Sequence, residues 1–384
     1  MAQPPLRQFR EGFREWCSTA LPDEWRYLSR GSDDELVLNA RLGWGKRLYA
    51  GGWAGIRLPA SYGGLGLSTA HHLVAIEEQV RVGAPEPLNL NSTEILAPLL
   101  VEHGTEDLLD RYLRPMLSHE HIWCQGFSEP GAGSDLASVR TRAKPTANGW
   151  LVTGQKVWTT YGPQADYAYV LVRTDPEAPK HAGISLMIVR LDQPGVTVRP
   201  ICNIAGSLEF SEIFLDDALV ETGDLIGELN DGWRLAMSAL SNERGLNIVQ
   251  RGLNLERELE MMQTLIGNGF VEEDGAIASS APGRLIDCFV DARAMRSVVG
   301  EILECAAAGG VPASLASMAK LHWSEVHQAI LGLGVEGMGA CLSEPRYAEW
   351  VKACLFSRAE TIYGGTSEIQ RNSLARELGL PSGH

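Results

Sequence analysis

The apolar pattern of this chain changes period twice, and that change bounds the fold. Between Ile122 and about Leu229 the apolar residues come in short runs rich in β-branched and aromatic side chains: Trp150–Thr160, Tyr167–Val172, Ile184–Leu191, Val196–Ile201 and Leu208–Leu215. Gly, Pro, Asn and Asp punctuate them, and Asn148-Gly149 predicts a type I′ hairpin before Trp150. Evenly spaced short strands specify a compact β-barrel or sandwich rather than βαβ units. On either side the spacing is helical. Leu36–Tyr49, Leu73–Val82 and Glu106–Met116 precede the β region; Trp233–Met262, Leu285–Ala307, Ala313–Leu331 and Tyr347–Ala359 follow it. The loop from Leu58 ends at Ser68 or Thr69, either of which suits a helix N-cap, and 267–283 reads as a loop. The expected class is α+β: an N-terminal helical domain over 1–121, a middle β domain over 122–229 and a C-terminal helical domain over 230–384.

Charge and cysteine usage narrow the function classes. A net charge of −15 over 384 residues excludes a nucleic-acid backbone as partner, and an anionic substrate has to find a local cation. No apolar run reaches membrane-spanning length, and Met1–Glu11 lacks a secretory pattern. The seven cysteines are scattered with no C-x-x-C pair, which fits reduced thiols and a cytoplasmic protein.

Three stretches carry chemistry. Trp123–Ser134, followed by Asp135, is a strand that opens into Ser-Glu-Pro-Gly-Ala-Gly-Ser, presenting backbone N–H groups and hydroxyls at one point. Ile362–Asn372 is a Gly turn leading into a Thr-Ser-Glu helix start, with amides free to meet a carbonyl or phosphate. Glu243-Arg244 lies within a long helix, where such a pair is ordinarily a solvated ion pair; beside Met237, Leu240 and Ile248, however, an apolar neighbourhood would raise a carboxylate toward use as a base. Gly332–Gly337 matches G-x-G-x-x-G but follows a helix, so it is not read as a dinucleotide loop. His71-His72 and the His119/His121 pair lack metal-ligand spacing, and there is no G-x-S-x-G elbow.

Together these stretches resemble the acyl-CoA dehydrogenase family across nearly the whole chain. The resemblance rests on Leu58–Leu67, Phe127–Asp135, Gly154–Thr160 and Tyr363–Arg371, in that order. It implies a β-barrel-like middle domain between two helical domains, the second a four-helix bundle. It also implies bound FAD and a thioester substrate, acyl-CoA or carrier-bound, desaturated between Cα and Cβ. A carboxylate takes the α-proton while the β-hydride goes to flavin N5, and an electron-transfer flavoprotein or similar acceptor takes the electrons. By resemblance, Gln125, Phe127 and Ser128 line the flavin ring, and Trp158 and Thr160 meet it from the other side. Gly365, Thr366 and Glu368 approach the FAD. Ser134 touches the pantetheine arm, Arg244 the CoA, and the Gly364 N–H the thioester carbonyl.

Two departures from the family pattern are informative. Many members carry the catalytic Glu where this chain has Gly364; others place it on the long helix just before an Arg, which Glu243-Arg244 matches. Glu243 is therefore the expected base, and Glu129, inside the loop signature, is expected to be structural. Many members also have an R-x-x-F-G segment reaching the FAD pyrophosphate of a neighbouring subunit. Here the region reads Glu272–Gly283, with Arg284 the nearest candidate, and the family's Gln before the second glycine signature has no clear counterpart around Gly334–Gly339. Such losses occur in mixed α₂β₂ tetramers. The expected assembly is thus a homo- or hetero-oligomer, dimer or tetramer. A non-autonomous partner subunit and a same-fold flavin oxidase or monooxygenase are the alternatives.

Overall fold

A computed structural model describes residues 3–22, 25, 34–266, 281–308, 311–339, 343–344 and 347–380; side chains at 34, 241–247, 265–266, 281–282 and 307 fall outside that description. The helices are α1 (Leu6–Ala20), α2 (Asp34–Ala50), α3 (Thr69–Val82), α4 (Ala97–His103), α5 (Glu106–Leu117), α6 (Gly232–Ile266), α7 (Ala281–Ala307), α8 (Ala313–Met338), α9 (Ala348–Phe356) and α10 (Ser367–Glu377). The strands are β1 (Trp123–Gly126), β2 (Arg142–Thr146), β3 (Gly149–Thr160), β4 (Tyr167–Arg173), β5 (Ile184–Arg190), β6 (Val196–Ile201), β7 (Phe210–Glu221) and β8 (Leu225–Ile226). The α+β class expected from the sequence holds. The chain divides into two compact units: Met1–Val37 with Ser68–Ala84 and Arg244–His384, and Leu38–Leu67 with Pro85–Glu243.

The strands form one sheet in the order β6-β7-β3-β2-β4-β5-β8, with β1 parallel to β4. Its β2–β4 junction is the single pair Arg142–Arg173. Val152, Ile213 and Leu215 on one half share a core with Val170, Met187 and Val189 on the other. The opposite face of β4 and β5, with Tyr169, Leu171, Leu186 and Ile188, packs against Leu100, Leu108, Leu113 and Met116 of α4 and α5. Burial on both faces explains why β4 and β5 read as unbroken apolar runs. Thr105 caps α5, accepting from the Leu108 N–H at 3.3 Å.

Three sequence expectations are corrected. The β2–β3 hairpin turns at Ala147-Asn148, not Asn148-Gly149, and the positive φ belongs to Gly149 (147°). Glycine is required there because a Cβ would lie 2.0 Å from the Val220 carbonyl oxygen of β7. Strand β2 lies outside the β pattern of the sequence, because its Pro145 and mostly exposed side chains resemble a turn. Helix α8 runs through Gly332–Gly337 to Met338, beyond the expected end at Leu331. Gly334 admits the α9 indole, since a Cβ would meet Trp350 Nε1 at 2.3 Å, and that indole N–H donates to the Leu331 carbonyl at 2.9 Å. The expected loop at 267–283 lies mostly outside the described residues.

In the helical unit, Val249, Leu255, Met262, Met295, Ile302, Trp323 and Ile330 form the core. Helix α1 is fastened to α3 by Glu78, whose side chain is 1% exposed and pairs with Arg10 (3.0 Å), Arg14 (2.8 Å) and Arg81 (2.7 Å). The Arg14 hydrogen bond, outweighing burial, holds this carboxyl down at about 2. A depressed carboxyl contributes stability above its unfolded value and loses it as pH falls through the folded one. Glu78→Gln is expected to destabilise the chain by about 1–2 kcal/mol at pH 7, discounted because all three arginines are partly exposed. Urea titrations at pH 7 and pH 3 check this: the gap between wild type and variant narrows at the lower pH.

Candidate active site

Asn89, fully buried, fixes the entry to β1: its Oδ1 accepts from the Trp123 N–H at 3.0 Å, and its Nδ2 donates to the Met116 and His121 carbonyls at 2.9 and 2.7 Å. The strand then opens into the Gly-rich loop, which folds back at once, Glu129 and Ala132 exchanging backbone hydrogen bonds of 3.1 and 3.0 Å. The Glu129 carboxylate, 8% exposed, accepts from the Arg140 N–H (2.6 Å), the Thr141 N–H (2.9 Å) and Lys156 Nζ (2.8 Å). Lys156 on β3 is fully buried and also donates to the Phe127 carbonyl at 3.1 Å. Burial pushes the Lys156 ammonium down to about 8 against the pull of Glu129. Burial likewise opposes ionisation of Glu129, but Lys156 and the donors prevail and its pKa is lowered. With three donors on its carboxylate, Glu129 holds the loop, the structural role expected of it.

This pair aligns the loop with the end of β3. The Val157 N–H donates to the Ser128 carbonyl at 3.0 Å, so Ser128 lies beside Trp158. The β3–β7 register shifts between Lys156 and Thr159, and within that shift Trp158 takes φ 60° and stands 59% exposed, its indole edge-on to Phe210. Tyr161, three residues on, has φ 56°. Left-handed backbone at two bulky residues is strain of the kind found at binding sites, and no sequence pattern announced it. Thr160 ends β3, opposite Phe210. Gln125 accepts from the Tyr169 hydroxyl at 3.0 Å. Phe127 is 5% exposed against Tyr169, so its ring belongs to the core and the expectation for it narrows to its backbone. Ser134 is exposed, next to Asp135, which pairs with Lys180 at 2.8 Å. An exposed indole plate, on the strand segment to which Ser128 is hydrogen-bonded, suits a flat heteroaromatic ring, and in that respect these residues fit a flavin.

The C-terminal motif belongs to the helical unit. Gly364 and Gly365 have φ 64° and 92°, and a Cβ on Gly365 would lie 2.6 Å from Gln370 Nε2. Gln370 Nε2 donates to the Gly364 carbonyl and Lys320 Nζ to the Gly365 carbonyl, both at 2.8 Å. Both carbonyls are thereby turned toward protein partners. Thr366 caps α10, accepting from the Ile369 N–H at 3.3 Å. Glu368 is exposed in the first turn, its pKa lowered by its own backbone N–H and then by the Thr366 hydroxyl. Glu243 and Arg244 continue the backbone of α6, but their side chains lie outside the described residues. Arg284, the candidate for the missing pyrophosphate contact, is paired with Glu336 of its own chain.

Lys156→Met is expected to cost about 3–5 kcal/mol because it strands a buried carboxylate. Adding Glu129→Gln recovers part of that loss. Chemical unfolding of the two single variants and the double variant measures the coupling; additive effects would mean that the pair does not hold the loop.

Three family models match in chain order: the acyl-CoA dehydrogenase N-terminal domain over residues 4–120, the middle domain over 124–218 and the C-terminal domain over 230–379. The acyl-CoA dehydrogenase IpdE1 of Mycolicibacterium smegmatis is 37% identical, the alignment covering 98% of each chain. Among solved structures, the Tcur3481-Tcur3483 steroid ACAD superposes with a TM-score of 0.85 at 28% identity, covering 100% of both chains. The ChsE4-ChsE5 complex from Mycobacterium tuberculosis gives 0.82 at 26% identity, covering 100% of this chain and 99% of that one.

Proposed function

Because this chain belongs to the acyl-CoA dehydrogenase family, a family of FAD-dependent oxidoreductases acting on CH–CH bonds, we propose that it desaturates an acyl thioester with Glu243 as the base. The observation that carries this reading is Gly364. It has no carboxylate, and its φ of 64° makes any side chain there costly, by about 1–2 kcal/mol. Space does not forbid a side chain, since a Cβ would find nothing nearer than Lys320 Cε at 3.9 Å. The acid–base group therefore comes from elsewhere, and Glu243, followed by Arg244 on α6, is the residue suited to it.

In this reading Glu243 removes the α-proton. The Gly364 N–H donates to the thioester carbonyl and stabilises its enolate-like charge, a contribution of roughly 3–4 kcal/mol for a well-placed donor. Arg244 offers the CoA phosphates a cation in a chain of net charge −15. Ser134 meets the pantetheine arm. Ser128, Trp158 and Thr160, with Gln125 and the Phe127 backbone, hold the isoalloxazine ring; Gly365, Thr366 and Glu368 lie toward the rest of the cofactor. FAD, when bound, supplies the hydride acceptor. A carrier-bound thioester serves equally in place of CoA, and an electron-transfer flavoprotein is the proposed acceptor. A steroid-bearing thioester is the first substrate to try, from the similarity to the steroid ACAD. No described helix is long and apolar enough to cross a membrane.

A second reading, a chain that completes its cofactor site only within a mixed assembly, is favoured by the acidic stretch from Glu272 and by the Arg284–Glu336 pairing. The visible spectrum of the chain purified alone separates the two: stoichiometric flavin supports autonomy, and a folded colourless protein supports a mixed complex. For the base, Glu243→Gln is expected to retain flavin yet leave it unbleached under anaerobic acyl-CoA. Bleaching at the wild-type rate assigns the proton to another group.

A further inference from the structure

The helical unit contains a charged cluster that the reaction outlined above does not use. His327 on α8 is 12% exposed and lies between two buried carboxylates. Its Nδ1 is hydrogen-bonded to Glu360 at 2.7 Å; its Nε2 meets Glu258 of α6 at 2.9 Å, an ion-pair contact rather than an aligned hydrogen bond. Glu360 is 4% and Glu258 5% exposed. Two carboxylates buried around one imidazole are costly to desolvate, and such clusters are best attested where they fix one arrangement against its neighbours.

Each arm of the cluster leads to a distinct element. Glu360 stands four residues before Gly364, in the segment 357–366 that forms the Gly turn. Helix α8 holds this segment along one face, with residues spaced seven and eight apart. Lys320 donates to the Gly365 carbonyl (2.8 Å), His327 binds Glu360, and Gln328 Nε2 donates to the Ser357 carbonyl (2.6 Å) and the Thr361 hydroxyl (3.2 Å). The other arm, Glu258, belongs to α6, the helix that carries Glu243 and Arg244. A second tie between the same elements lies seven residues earlier on α6. The Arg251 guanidinium is 4.7 Å from the Trp323 ring and 5.4 Å from the Tyr363 ring, and Trp323 stacks on His327 at 5.8 Å. Tyr363 immediately precedes Gly364.

We propose that Glu258, His327 and Glu360 form a positioning triad that sets the register of α6 against the Gly364–Gly365 turn. Its consequence, which rests on the function proposed above, is that α6, the helix whose backbone carries the proposed base, is held in one register against the turn that carries the Gly364 amide. Misplacement by about 1 Å at such a site costs up to about a hundredfold in rate. The cluster also leaves a signature independent of turnover. Despite burial, the two carboxylates raise His327 to about 10. A raised histidine stabilises the fold fully below its unfolded value, near 6.5, and loses that contribution as pH rises through about 10. Among the described residues, the charged groups facing it are Glu258 from α6 and Glu360 from the turn segment, with Arg251 over the neighbouring indole.

The test uses the holoenzyme and a neutral triple variant, Glu258→Gln with His327→Gln and Glu360→Gln, because His327→Gln alone strands two buried carboxylates. Flavin content, the thermal midpoint from pH 8 to 11, and kcat and KM for an acyl-CoA that bleaches the wild type are measured together. The expected variant keeps its flavin and loses the fall in midpoint near pH 10. Its kcat drops by about tenfold or more while KM stays within about twofold. A variant that loses the pH response but keeps kcat and KM shows a purely structural cluster and overturns the inference alone. A wild-type chain that no acyl thioester bleaches overturns the functional reading, and the inference with it.

Discussion

The buried pair of Lys156 and Glu129 is the interaction on which the sheet-bearing unit depends. Neither charge is tolerable alone where it stands. Lys156 is fully buried on β3, and Glu129 is the only described carboxylate within reach of its ammonium. The pair answers both desolvation penalties and then does geometric work. Glu129 gathers the Arg140 and Thr141 amides, and Lys156 gathers the Phe127 carbonyl, so both ends of the Gly-rich loop are tied to one strand. From that anchorage follow the Val157–Ser128 hydrogen bond and the exposure of Trp158. The loop is rich in glycine for close approach, yet its position is set by charge.

Much of the architecture is legible in the sequence because burial leaves a periodic trace. The runs at β3–β7 and the long C-terminal helices appear within a few residues of where the pattern puts them, with β7 extending to Glu221. Tertiary contacts account for the misses. Three glycines sit inside α8 and resemble a terminator, but Gly334 is there to admit Trp350 from α9. Pro145 makes β2 read as a turn, and pairing with β3 supplies the strand. The short parallel pairing of β1 with β4 depends on a long crossover that no local signal encodes.

The candidate site divides in the same way. Its loops are legible as motifs, since glycine, serine and threonine at fixed spacing reflect backbone requirements. A lysine within the apolar alternation of β3 was a readable sign that a buried anion had to lie opposite it. The left-handed backbone at Trp158 and Tyr161 was not readable, because neither residue type favours it. The boundary between the two compact units falls between Glu243 and Arg244, inside one continuous helix. Each unit, taken by itself, has a pinned loop: one through Lys156 and Glu129, the other through Lys320 and Gln370.

The central claim is that the proton leaves to the helix and not to the turn. The most direct measurement follows an α,α-dideuterated acyl thioester through a single anaerobic turnover and counts label released to water per bound flavin. The account predicts one deuteron released per flavin in the wild type and none from Glu243→Gln. Bleaching with both α-deuterons retained, or equal release from the variant, would contradict it.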